Sequence, residues 1–203
     1  VTIFDLIDTG SYDNKPYCVN LRGTNGSGKS SLAKEFIKDG FEHIYVEGLK
    51  RPAFTYSKDY NTLVLGNYRT ACGGCDALIK AQIVRLLKLA WMTTANIVFE
   101  GVLVSDSGKP YYYYMKELND TLKPRKWGFA YLELSLETCY SRISKRNGGK
   151  EIKKDLVADK HRNAARYRDW QREQGDCMVL SLDAEQSINL VFEELMMKLY
   201  KFK

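Results

Sequence analysis

One octet limits this chain more than anything else in it: Gly23-Thr24-Asn25-Gly26-Ser27-Gly28-Lys29-Ser30. The pattern G-x-x-x-x-G-K-[ST] would arise by accident in roughly one chain of this length in a hundred at average composition. It also falls where its mechanism needs it. Tyr17-Cys18-Val19-Asn20-Leu21 reads as a strand leading into it, and Leu32, Phe36 and Ile37 mark one face of a helix leading out. Glycines let the backbone turn so that successive N–H groups aim inward at phosphate oxygens, and the helix N-terminus adds a favourable dipole. Lys29 would reach the β- and γ-phosphates of ATP and the Ser30 hydroxyl a Mg²⁺ ion, with Ser31 completing the nucleotide-binding set.

Around the loop, short apolar runs alternate with helical patterns. His43–Val46, Thr62–Leu65, Asn96–Phe99, Phe129–Leu134 and Cys177–Leu182 read as strands, the β-branched and aromatic Asn96–Phe99 as a central one. Ile79, Ile83, Leu86, Leu87 and Ala90 recur at helical spacing after Asp76, and Ile188, Phe192, Leu195 and Leu199 mark a terminal amphipathic helix. This alternation predicts one α/β domain over 1–203, a P-loop NTPase fold whose parallel sheet is covered by helices on both faces. Its ligand site should lie beyond the carboxyl ends of the strands.

No apolar run approaches the roughly 18 residues needed to span a bilayer, so no membrane partner is expected. The first twenty residues carry Asp5, Asp8 and Asp13 and lack the apolar stretch of a secretion signal. The five cysteines are therefore expected as thiols in a reducing cytoplasm. The net charge is +6, and the segment from Lys145 to Arg172 holds ten Lys or Arg against four acids, an excess of six. One stretch thus carries the whole chain's imbalance, which suits ATP, a phosphorylated substrate or a nucleic-acid backbone.

Candidates for the chemistry follow from position. A phosphate loop needs a carboxylate near its metal, and Glu100, closing Ile97-Val98-Phe99, is placed for it. Asp76 and Glu47 are the candidates for the base that takes the acceptor's hydroxyl proton; Asp76 also fits an N-cap. Arg142 and Arg146 share a helix face just before Asn147-Gly148-Gly149, as in a lid over about 146–160 that neutralises charge on the transferred phosphoryl group. Tyr68 and Arg69, with the pair Gly73-Gly74, suit a substrate base and phosphate approaching close to the backbone. Cys72 and Cys75 form a C-x-x-C with no second ligand pair at metal spacing. Of Tyr111 to Tyr114, two are expected to pack inward.

The phosphate loop, the strand ending Phe99-Glu100-Gly101 and the block Leu132-x-x-x-x-Glu137-Thr138-x-x-x-Arg142-x-x-x-Arg146 resemble small nucleotide and nucleoside kinases over Tyr17 to Leu199. With Gly66-Asn67-Tyr68 and Cys72-Gly73-Gly74-Cys75-Asp76, the chain is most similar to the bacteriophage 5-hydroxymethyl-deoxyuridine DNA kinases. That resemblance implies ATP and Mg²⁺ as cofactors and transfer of the γ-phosphate to a hydroxymethyl group on a pyrimidine in phage DNA, within the host cytoplasm. The alternative acceptor is a free nucleoside or nucleoside monophosphate. No guanine-reading N-K-x-D follows the phosphate loop, which argues against a hydrolysing switch protein.

Overall fold

A computed structural model of the chain describes residues 2–6, 15–68, 74–101, 108–149 and 151–201. Seven strands form one sheet in the order β2-β3-β4-β5-β1-β6-β7: β1 (Tyr17–Arg22), β2 (Glu42–Ile44), β3 (Phe54–Ser57), β4 (Thr62–Leu65), β5 (Asn96–Phe99), β6 (Lys126–Glu133) and β7 (Met178–Asp183). The five strands from β4 to β7 across the sheet are parallel, in register at Val64 with Val98, Val19 with Val98, and Asn20 with Phe129. The β5 strand lies fourth of seven, as its apolar composition requires.

The edge departs from an all-parallel sheet. The strand Phe54–Ser57 was not anticipated, and it pairs antiparallel with both β2 and β4. Between β3 and β4 the chain reverses through Lys58–Asn61, where Asn61 adopts a left-handed φ of 42°. A connection that short cannot hold a crossover helix, so the pair must run antiparallel.

Side chains of the central strands alternate between two cores. Cys18, Ile97, Phe99 and Phe129 face α2 (Lys80–Trp91) and α3 (Gly108–Thr121), where Ile83, Leu86, Leu87, Tyr111, Tyr112 and Met115 are buried. Val19, Leu21, Val98 and Leu132 face α1 (Lys29–Glu35) and α6 (Ile188–Lys201), against Leu32, Phe36, Val191, Phe192 and Leu195. The helices α4 (Leu136–Arg146) and α5 (Lys154–Gln174) flank the β6–β7 edge. Both sheet faces are covered.

Helix α2 begins later than its spacing suggests. Gly74–Ala77 forms a single 3-10 turn, and the N-cap is Ile79, whose backbone N–H donates to Gln82 Oε1 at 3.0 Å. Asp76 is therefore not the cap of α2, and Ile79 is 64% exposed rather than part of the core. The other end of α2 is held by Arg125, buried in the core, whose guanidinium donates to the carbonyls of Ala90, Trp91, Thr93 and Ala95. Ala90 and Trp91 are the last residues of α2, whose carbonyls a helix end leaves short of intrahelical donors, and Thr93 and Ala95 lie in the connection to β5. Among the described residues no helix is long and apolar enough to cross a membrane.

Candidate active site

The chain leaves β1 at Arg22 and wraps through the glycine loop into α1. Gly26 sits at φ 80° and packs so tightly on α4 that a Cβ there would lie 2.9 Å from the Cys139 carbonyl oxygen. Only glycine fits that turn and that approach. Lys29 is buried, and its ammonium donates to the carbonyls of Gly23 (2.8 Å) and Thr24 (3.0 Å). The buried Ser27 hydroxyl has no hydrogen-bond partner among the described residues. A buried donor in that position is what a phosphate oxygen would satisfy.

Glu100 ends β5 next to this loop and is 1% exposed. Its Oε1 accepts a hydrogen bond from the Ser30 hydroxyl at 3.0 Å. Burial pushes its carboxyl up to about 7, an effect that Lys29 and the Ser30 bond oppose and Asp76 reinforces. Its backbone carbonyl accepts from the Cys75 N–H at 2.9 Å, which ties the Gly74–Ala77 turn to the end of β5. Gly74 adopts φ 70°, and a Cβ there would stand 2.4 Å from Glu100 Oε1. The turn can rest on the carboxylate only because residue 74 has no side chain.

A cavity of about 400 Å³ opens beyond the carboxyl ends of the strands. Asn25 to Ser31, Asp76, Glu100, Arg142 and Arg146 all line it, so residues from four separate stretches converge there. Arg142 is steadied by a 2.8 Å bond to the Ala184 carbonyl, while Arg146 is exposed at the last residue of α4. Gly148 and Gly149, with φ 63° and 77°, follow it before α5. Leu132, Ala184, Ile188 and Val191 form the cavity's less polar wall. The stretch from Ala184 to Val191 was not picked out by sequence reasoning, since a strand-to-helix turn of ordinary residues carries no motif.

A sequence model of the family described as 5-hmdU DNA kinase matches residues 8–179. This chain belongs to that family. The 5-hmdU DNA kinase of Pseudomonas phage M6 is 34% identical over 162 residues, 74% of this chain and 83% of that one. The 5-hmdU DNA kinase of Pseudomonas phage PaMx11 is 29% identical over 160 residues, covering 74% and 79%. The relative from Bacillus phage SP10 is 32% identical over 161 residues, but the match takes up only 25% of its length. A solved gluconokinase from Sinorhizobium meliloti 1021 shares the fold, with a TM-score of 0.51 and 13% identity over 93% of this chain and 94% of that chain. The protein is accordingly a kinase, a phosphotransferase.

Two other residues expected in the site of this 5-hmdU DNA kinase family member, Glu47 and Tyr68, do not line the cavity. Glu47 is exposed beyond β2 and does not line it; the carbonyl of Glu47 accepts from Arg85 at 3.2 Å. Tyr68, expected to stack on a base, is instead 8% exposed within the α1 and α6 core. Burial, and then the neighbouring Glu100 carboxylate, push its phenol well above the ordinary range. Arg69, Cys72 and Gly73 fall outside the described residues, and Cys75 is a buried free thiol. No cluster of three or more metal-binding side chains of the His, Cys, Asp and Glu kind occurs among the described residues. Tyr111 and Tyr112 pack inward, Tyr113 is exposed, and Tyr114 donates to the Val84 carbonyl.

Proposed function

We propose that this kinase moves the γ-phosphate of ATP onto the hydroxymethyl group of 5-hydroxymethyl-deoxyuridine in DNA, in the cytoplasm of an infected cell. The observation that carries it is the convergence of the glycine loop, the Ser30–Glu100 pair, Asp76 and two arginines on one cavity in a member of this family. The acceptor is taken from what the phage relatives are named for.

The residues fit a bound nucleotide and a hard divalent cation. The inward-facing loop and the partnerless Ser27 hydroxyl suit phosphate oxygens, and Ser30 with Glu100 offers the oxygen ligands that Mg²⁺ prefers. Mg²⁺, when held there, would neutralise phosphate charge and orient the donor. In that state the raised Glu100 carboxyl is ionised, because a cation beside it favours the charged form.

Lys29 exchanges its loop carbonyls for the β- and γ-phosphates. Asp76 accepts the acceptor's hydroxyl proton as the hydroxyl oxygen bonds to the γ-phosphorus. The bond from that phosphorus to the β,γ-bridging oxygen breaks, and ADP leaves with the electron pair. Arg142 and Arg146 stabilise charge on the phosphoryl group in flight, each such contact being worth roughly 10²-fold or more in rate. The segment 146–160 closes as a lid on its glycine hinge, the whole forming one domain.

The test follows γ-labelled ATP with three acceptors at equal concentration: a modified oligonucleotide, the free nucleoside and its monophosphate. Label in the oligonucleotide at a rate exceeding the free compounds is expected. Label only in a free compound would replace this reading with a small-molecule kinase, and label only in inorganic phosphate would remove transfer altogether.

A further inference from the structure

A second cavity, of about 310 Å³, lies on the far side of the Gly74–Ala77 turn from the phosphate loop. Gly74 and Ala77 line it, while Asp76 between them lines the phosphate cavity. The two spaces therefore share one turn, with the candidate base carboxylate at the seam. The opposite wall is the loop after β2, which contributes Lys50 and Arg51. Both are exposed, and among the described residues neither has an ion-pair or hydrogen-bond partner.

We propose that this cavity is the acceptor subsite: it takes a single extruded 5-hydroxymethylpyrimidine, and Lys50 and Arg51 hold the backbone phosphates on either side of it. The proposal rests on the reading that the acceptor is DNA, and it names where that DNA is held. Size supports one base. Small-molecule pockets start at roughly 300 Å³, and a duplex cannot enter one. An enzyme working on a base in DNA must bring that base out of the stack.

The wall chemistry fits a uracil ring. Gln82 lines the cavity, and because its Oε1 accepts the Ile79 N–H, its amino group is fixed as a donor. Ring carbonyls accept from such a donor. Gly48 leaves bare backbone along one wall, with no atom nearer than 3.8 Å to where its Cβ would stand, so a flat ring can approach closely there. Unpartnered cations at the mouth would release counterions on meeting phosphate, which ties binding to salt.

Steady-state kinetics with ATP and a modified single-stranded oligonucleotide would compare the wild type, Lys50→Ala/Arg51→Ala and Gln82→Glu. For the double variant the expected result is a KM for oligonucleotide raised at least ~10-fold and a log–log salt slope shallower by up to about two contacts. Its KM for ATP and its kcat at saturating oligonucleotide should stay within about twofold, since neither side chain reaches the phosphate cavity. Gln82→Glu keeps an oxygen for the Ile79 N–H but loses the donor, so kcat/KM for oligonucleotide should fall with the melting temperature unchanged. If the wild type labels the oligonucleotide while both variants keep its KM and salt slope, the subsite is wrong and the DNA reading stands. If the wild type labels only a free nucleoside or monophosphate, the DNA reading fails and this subsite fails with it.

Discussion

Replacing Glu100 by Gln should separate what the carboxylate does for phosphoryl transfer from what it does to the fold. In the metal-free protein its carboxyl is raised from 4.5 to about 7, chiefly by burial. One pK unit corresponds to about 1.4 kcal/mol, so ionising Glu100 in the folded state is disfavoured by about 3 kcal/mol relative to the unfolded chain. The sign follows from proton counting. Between pH 4.5 and 7 the folded protein keeps a proton that the unfolded chain has released, so stability falls as pH rises through that window and levels off above it. About 2.5 kcal/mol of the loss falls between pH 5 and pH 8. Gln does not titrate, and its carbonyl oxygen still accepts from Ser30.

Thermal melting of both proteins, with chelator present, reads the effect directly. For a chain of this size 1 kcal/mol moves the melting temperature by roughly 2–4 °C, so the advantage of Glu100→Gln over the wild type should grow by roughly 5–10 °C from pH 5 to pH 8. Adding Mg²⁺ with nucleotide should shrink that advantage by stabilising the wild type more than the variant, which lacks the carboxylate for the cation. Turnover of the variant should drop at least ~100-fold. An advantage that stays constant between pH 5 and pH 8 would show the carboxyl ionised throughout and refute the reasoning.

Lys29→Ala should abolish phosphoryl transfer with circular dichroism showing the fold retained, because the Lys29 ammonium bonds the loop carbonyls of Gly23 and Thr24 rather than packing in the core; near-wild-type turnover in a folded variant would end the kinase mechanism. Asp76→Asn should lower kcat by ~10²-fold or more with little change in melting temperature, since Asp76 is not the cap of α2; full activity would refute Asp76 as the base. Gly74→Ala should lower both stability, by about 2 kcal/mol or more, and turnover, because its Cβ collides with Glu100; an unchanged melt would disprove the close approach. Arg125→Met should destabilise by about 3 kcal/mol in urea unfolding while the folded fraction keeps its kcat, because the loss is at the carboxyl end of α2, away from the phosphate cavity.

The parts legible in the sequence were those fixed by local pattern. The glycine loop, the apolar strand ending at Glu100 and the arginine pair on α4 each depend on residues within one or two turns of each other, and the fold brings all three to one cavity. What escaped depends on partners distant in the chain. The strand Phe54–Ser57 is short, and its pairing rests on β2 and β4 rather than on its own composition. Tyr68 looked presentable because an aromatic beside glycine often is, but β4 carries it into the core against Glu100. Helix α2 starts after a 3-10 turn that exists because Cys75 bonds the end of β5, a contact 25 residues away that no local cap signal encodes.

Charge is where counting and structure diverge furthest. The segment from Lys145 to Arg172 holds the chain's whole positive excess, yet the fold spends much of it internally. Arg168 meets Glu133 and Asp169, Arg162 meets Asp159, Arg172 bonds Asp169 and Ser181, and Lys154 lies over the Tyr140 ring. Exposed pairs of this kind are individually weak, about 0–1 kcal/mol, so a phosphate can displace them. A cation that must first leave a carboxylate nonetheless gains less from a phosphate than one with no partner to leave. Lys50 and Arg51 carry no such debt, and they stand beside the turn that holds Asp76. Net charge along the chain therefore points to the α4–α5 stretch, whereas Lys50 and Arg51 add two further cations without a partner among the described residues, beside the turn where the acceptor subsite is proposed.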